Sequence, residues 1–207
     1  MLLYQEKGVV VYTQHNMMSL TTNGKQKGVK NESKTQVSFA KSQLVLLQSR
    51  KKWGILYSLA TVAGLFFMPS VLGIGWSETE ILSTFQKAMP MPLVSFLVTV
   101  GMFMLNDLVD SDLDRANGKN RPIPSGLVSK RQTWTFILLT NGTALLLSIT
   151  TFNPVSILIV AAMLVIGIMY SAPKIALMKR FLIKTITIAV YYCLCALLGI
   201  TSIYGMD

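Results

Sequence analysis

Four of the chain's nine acidic residues fall between positions 107 and 114, in Asn106-Asp107-Leu-Val-Asp110-Ser-Asp112-Leu-Asp114. On a helix advancing about 100° per residue, Asp107, Asp110 and Asp114 stand at i, i+3 and i+7, within an arc of ~60°. Asn106 flanks that arc and Asp112 points away from it. Three carboxylates on one face repel one another unless something positive lies between them. Oxygen-only donors suit Mg²⁺, which takes one or two protein carboxylates and leaves its other positions to water and phosphate oxygens. The face follows directly on the apolar run Leu93–Leu105. Carboxylates at a membrane edge are costly, so they mark a functional site by default.

Two basic stretches complete the chemistry. Lys119 and Arg121 lie in the polar loop Asn117–Ser129, and Lys174, Lys179 and Arg180 lie further on. Mg²⁺ bridging aspartate and phosphate oxygens, with these cations on the far oxygens, is what a diphosphate requires. Metal and cations together would stabilise the charge that develops as a C–O bond to diphosphate breaks. Three plainer readings compete. An EF-hand loop starting at Asp110 fails, because Arg115 stands where glycine is needed and Arg121 where glutamate is needed. A solvated loop with Asp–Arg pairs is the second, though such a loop needs no carboxylates in helical register. The third is that Lys174, Lys179 and Arg180 only set topology.

These residues must be positioned by membrane helices. The 207 residues are 52% hydrophobic and 14% charged, well under the ~25% charged content of a soluble domain. The charges are segregated, leaving long uncharged blocks. Their net excess of +10 sits beside those blocks, which argues for topology and anionic lipid rather than nucleic acid. Cys193 and Cys195 lie in one apolar segment at a spacing that does not face on a helix, so they read as packing residues. The only histidine, His15, is in the polar tail, which excludes a His/Cys metal site and a Ser-His-Asp triad.

The apolar blocks predict five spans: Trp53–Gly75, a second entered at Pro90 and Pro92, Gln132–Phe152, Val155–Ala172 and Phe181–Tyr204. Leu93–Leu105 is too short to span alone, so the second helix must carry its aspartates within the membrane thickness, facing a cavity. Residues 1–48 read as a flexible cytosolic tail and 49–207 as the membrane domain, with an interfacial helix from Gln43 leading to Arg50-Lys51-Lys52-Trp53. Nine Lys/Arg precede Trp53, five lie in 115–131 and three in 174–180, against only Lys87 in the opposite loops. The positive-inside rule therefore predicts an integral, multi-pass protein whose amino terminus and active site are cytosolic. The fold class is all-α, a polytopic membrane helix bundle.

The acidic stretch followed by Arg121-Pro-Ile-Pro-x-Gly126 resembles the first Asp-rich motif of the UbiA-type intramembrane prenyltransferase superfamily. Tyr170-Ser-Ala-Pro173-Lys174 with Lys179-Arg180 resembles that family's second cytosolic loop, and Arg50-Lys51-Lys52-Trp53 its basic approach to the first helix. The resemblance covers residues 45–205. It implies Mg²⁺-dependent transfer of an isoprenyl group from a prenyl diphosphate to a lipophilic acceptor in the membrane. On that reading Asp107, Asp110 and Asp114 hold the metal and, with Arg121, form the catalytic set. Asn106, Lys119, Tyr170, Lys174, Lys179 and Arg180 bind or release diphosphate.

The family has a nine-helix fold and a second Asp-rich motif, whereas this chain carries five expected helices and no acid between Asp114 and Asp207. The expectation is a truncated prenyltransferase domain whose activity belongs to a complete form with a carboxyl-terminal half. The alternatives are a non-catalytic prenyl-lipid binder and a CDP-alcohol phosphotransferase, whose Asp-Gly-x-x-Ala-Arg core is missing. Ether-lipid glycerol phosphate, a quinone precursor and a chlorophyll-like ring stay open as acceptors, as does the prenyl length.

Overall fold

The computed structural model describes residues 37–72, 83, 86, 88–172, 175 and 181–203. Every regular element among them is helical: α1 Phe39–Leu72, α2 Pro90–Val109, α3 Ser111–Ala116, α4 Lys130–Ile149, α5 Pro154–Ser171 and α6 Phe181–Thr201. The chain is a helical membrane bundle. Three helical segments are long and apolar enough to cross a membrane: Pro90–Val109, Pro154–Ser171 and Leu182–Thr201. They coincide with the second, fourth and fifth expected spans. α1 and α4 lie at the first and third without reaching that standard over their described residues. α1 carries Arg50, Lys51 and Lys52, and α4 carries Lys130, Arg131 and Asn141. Both nonetheless pack as full members of the bundle.

α2 is the central helix and packs against α1, α4, α5 and α6. Its Val94, Val98, Val100 and Met104 are fully or almost fully buried. The outward faces of the surrounding helices carry exposed Phe66, Leu138, Leu146, Leu158 and Leu182. Apolar surface of this kind is stable against lipid tails, while each helix satisfies its own backbone hydrogen bonds. α1 and α6 meet at backbone distance. A Cβ on Gly64 would collide with the Ala196 carbonyl, and one on Gly199 with the Thr61 carbonyl. Small residues at such crossings let two backbones approach closely.

Local signals set the helix ends. Ser129 and Gln132 form a reciprocal capping box at the start of α4. Asn153 accepts hydrogen bonds from the Val155 and Ser156 amides at 3.0 and 3.2 Å, and Pro154 opens α5. The Asn153 amide also donates to the Thr201 carbonyl at 2.7 Å, tying the start of α5 to the end of α6.

α1 differs from expectation. It begins at Phe39, inside the stretch expected to be tail, and runs 34 residues without a break. At 1.5 Å per residue that is about 51 Å, longer than a ~30 Å hydrocarbon core. Its first turn is held from outside. The Val37 amide donates to the Leu127 carbonyl at 3.2 Å, and the Gln132 side chain donates to the Val37 carbonyl at 3.1 Å. The expected tail up to residue 36 falls outside the described residues.

Candidate active site

The helix bearing the aspartates is interrupted. α2 ends at Val109, Asp110 adopts φ −83° and ψ 0°, and α3 takes over at Ser111. The interruption is slight. The Asp110 amide still donates to the Asn106 carbonyl at 3.0 Å, and the Asp114 amide to the Asp110 carbonyl at 2.8 Å. Helical register therefore survives, and Asp107 and Asp114 arrive on one side. Both are buried, at 4% and 2% exposure.

The positive charge that such a face demands is Arg121. Its Nη1 donates to Asp107 Oδ1 at 2.8 Å and to Asp114 Oδ2 at 2.7 Å, so one guanidinium nitrogen joins both carboxylates. Lys119 Nζ donates to the other oxygen of Asp114 at 2.7 Å. Arg50 donates from Nε to Asp107 Oδ2 at 2.6 Å and from Nη2 to Oδ1. Its guanidinium also lies 5.9 Å from the Phe103 ring centroid, within cation–π range. These Asp–Arg pairs are not those of a solvated loop, because burial of the carboxylates makes each hydrogen bond to them stronger and its loss costlier.

The loop that delivers Arg121 is built to hold it. Gly118 and Gly126 adopt φ +66° and +76°, the left-handed region that glycine reaches at little cost. Arg115 Nε donates to the Pro124 carbonyl at 3.1 Å, and the Val128 amide to the Pro122 carbonyl at 3.1 Å. Ile123 and Val128 are buried beneath.

The remaining predicted residues divide. Asn106 Nδ2 donates to Asp110 Oδ2 at 3.4 Å, while its Oδ1 is buried without a hydrogen-bond partner among the described residues. Asp110 is half-buried. Asp112 is 72% exposed in its side chain and pairs with Lys130 at 3.0 Å, away from the cluster. Lys174, Lys179 and Arg180 lie outside the described residues. Arg50 is the site residue that sequence reasoning treated only as a membrane anchor.

Asn106 and Tyr170 also line a cavity of about 70 Å³. It lies between α1, α2, α5 and α6, and Tyr57, Phe103, Thr187 and Tyr191 contribute to its wall. The wall is almost wholly apolar, and no described lining residue is charged. Tyr57 packs edge-on to Tyr191 at 5.5 Å between centroids, and Phe103 stacks on Trp53 at 5.7 Å. A charged oxygen cluster thus borders an aromatic, apolar chamber, with Asn106 at their junction.

The donors Asp107, Asp110, Asp114 and Asn106 are all oxygens, the type Mg²⁺ selects. Among the described residues no three His, Cys, Asp or Glu side chains converge closely enough to hold a metal ion. Asp107 and Asp114 instead spend their oxygens on Arg50, Arg121 and Lys119.

A polar, cation-rich cluster beside an apolar chamber in a helical membrane bundle suits a substrate with a charged head and an apolar body. The family model of the UbiA prenyltransferase family matches residues 66–206, and the chain belongs to that family. No curated protein and no solved structure matches the chain.

Proposed function

We propose that the protein transfers an isoprenyl group from a prenyl diphosphate to a lipophilic acceptor within the membrane, with Mg²⁺ as cofactor. Family membership supports membrane prenyl transfer as the general activity. The observation that carries the finer reading is the meeting of Arg50, Lys119 and Arg121 on two buried carboxylates beside an apolar chamber.

In this reading Asp107, Asp110 and Asp114 would hold Mg²⁺ once their oxygens are released from Arg50, Lys119 and Arg121, and the ion would supply a counter-charge for diphosphate oxygens. Arg121, Lys119 and Arg50 exchange carboxylate oxygens for phosphate oxygens as the substrate arrives, a swap that guanidinium geometry allows. Asn106 stands where the diphosphate end meets the chamber. The chamber wall, without charges, keeps water from an allylic centre as the C–O bond weakens. Tyr170, on that wall, and Lys174, Lys179 and Arg180 assist diphosphate binding from the second basic loop. The active site and amino terminus face the cytosol.

The test is product formation from a labelled prenyl diphosphate and a panel of lipid acceptors, with and without Mg²⁺. Mg²⁺-dependent transfer that falls at least about a hundredfold in Asp107→Asn bears the proposal out. Tight prenyl diphosphate binding with no transfer to any acceptor favours the non-catalytic lipid binder.

A further inference from the structure

The side chain of Gln132, in the first turn of α4, is used at both of its polar atoms. Its Oε1 accepts from the Ser129 amide at 2.9 Å and from the Ser129 hydroxyl at 3.1 Å. Capping needs only that oxygen. Glutamate would supply it equally well, with the helix dipole in its favour. The Nε2 that glutamine adds donates to the Val37 carbonyl at 3.1 Å, 95 positions back in the chain. The Gln132 carbonyl in turn accepts from Gln43 Nε2 at 3.3 Å. The start of α4 is thereby tied twice to the start of α1.

We infer that Gln132 is a positioning residue: by fastening the segment Val37–Leu46 across the end of the loop Asn117–Ser129, it sets where Arg121 stands between Asp107 and Asp114. Arg121 meets diphosphate only on the prenyl-transfer reading, whereas the fastening stands without it. The loop is otherwise bonded to itself and to the two helices that lead into it. Among the described residues, its one hydrogen-bond partner outside residues 107–132 is the Val37 amide, which donates to the Leu127 carbonyl at 3.2 Å. Leu46 of the segment and Ile123 and Val128 of the loop are buried in one apolar cluster.

The same face of α1 reaches the carboxylates. Gln43, Leu46 and Arg50 stand at i, i+3 and i+7, so the face that holds Gln132 also brings Arg50 to Asp107. Asp107 accepts from Arg50 and from Arg121. α1 therefore fixes Arg121 twice, once through their shared carboxylate and once through the end of its loop. A loop free to shift would loosen both bonds of Arg121 Nη1 together. Residues 37–46 lie ahead of residues 66–206, the stretch that the family model matches, so the fastening goes beyond that match.

Gln132→Glu separates the two roles, because it keeps the capping oxygen and replaces the donor to Val37 with an oxygen that repels the carbonyl. The full chain is compared with the variant in detergent micelles, without Mg²⁺ or diphosphate. Hydrogen exchange at residues 118–128 should quicken at least about fivefold in Gln132→Glu and stay unchanged at residues 94–105 of α2. Modification of Arg121 by phenylglyoxal, referred to the exposed Arg131, should quicken at least about threefold as its carboxylate bonds open more often. Ser129→Ala removes the cap and keeps the donor, and should change the Arg121 rate less than about twofold. Loop exchange or an Arg121 rate equal to the wild type in Gln132→Glu overturns the inference. So does equal quickening through α2, or an effect of Ser129→Ala as large as that of Gln132→Glu. If Gln132→Glu does not fold, Gln43→Met replaces it, and an unchanged Arg121 rate in that variant overturns the inference. Failure of prenyl diphosphate binding while these results stand would overturn the transfer reading and leave the fastening in place.

Discussion

Arg50 on α1 and Asp107 on α2, 57 positions apart in the chain, meet through two guanidinium–carboxylate hydrogen bonds. Asp107 is buried and Arg50 half-buried, with side-chain exposures of 6% and 15%. The pair locks α1 to the helix that carries the site. Breaking a buried pair from one side costs about 3–5 kcal/mol, because a charge is left without its counter-ion. Arg121 still reaches Asp107, so the lower part of that range applies to Arg50→Met. Lys119 is half-exposed, and Lys119→Ala should cost under about 1 kcal/mol. Thermal unfolding in detergent should therefore rank Arg50→Met well below Lys119→Ala and the wild type. An unchanged melting temperature in Arg50→Met would show that the pair is dispensable.

The aspartates should separate by role in substrate binding. Asp107→Asn and Asp114→Asn remove a charge from the cluster that Arg121 bridges, and each should weaken Mg²⁺-dependent prenyl diphosphate binding by tenfold or more. Asp112→Asn touches only an exposed pair with Lys130 and should change it less than about twofold. Equilibrium binding of a labelled prenyl diphosphate checks this. Equal losses at all three positions would refute the division.

The register that unites Asp107 and Asp114 was legible in the i, i+7 spacing, which survives a brief interruption at Asp110. That interruption left no mark, since Val109-Asp110-Ser111 contains neither glycine nor proline. Three spans were plain from predominantly apolar blocks. Arg50 was not legible as a site residue, because a basic cluster before an apolar block is also what the positive-inside rule produces. Only the fold could bring it to a carboxylate 57 positions away.

The α1–α6 crossing gives a stability prediction with a built-in control. Gly64→Ala and Gly199→Ala place a Cβ against the backbone of the facing helix, which cannot yield as a side-chain tip can. Each should destabilise by about 1–3 kcal/mol, the usual cost of overpacking. Gly142→Ala on α4 adds a Cβ in open space and should be neutral or stabilising by up to about 1 kcal/mol, from helix propensity alone. Detergent melting curves of the three variants decide it. Destabilisation by Gly142→Ala equal to the other two would remove the crossing as the cause.

Sidedness follows from the placement of Lys and Arg. With Cys193 and Cys195 replaced by alanine, single cysteines at Gly118 and Glu78 should react with an impermeant maleimide from opposite faces of sealed vesicles. Gly118 is exposed in the loop that carries Arg121, so its label reports the face of the site itself. Labelling of both from one face would remove the cytosolic assignment of the site.

The last prediction concerns how metal and diphosphate depend on each other. Asp107 and Asp114 are engaged by Arg50, Arg121 and Lys119. Mg²⁺ alone would have to compete with three cations for those oxygens, and a site already neutralised attracts a divalent ion weakly. A diphosphate changes the balance, because its oxygens accept the guanidinium and ammonium groups and free the carboxylates for metal. Binding of the two should therefore be cooperative, and linkage requires the coupling to be reciprocal. Mg²⁺ affinity should rise at least about tenfold when a non-reactive prenyl methylenediphosphonate is present. The analogue's affinity should rise by the same factor when Mg²⁺ is present. Calorimetric titrations in both orders measure each side. In Arg50→Met/Lys119→Met, with fewer cations to displace, Mg²⁺ alone should bind more tightly and the coupling should shrink. Strong Mg²⁺ binding to the wild type without the analogue, unchanged in that variant, would show that the arginines and the lysine do not guard the carboxylates.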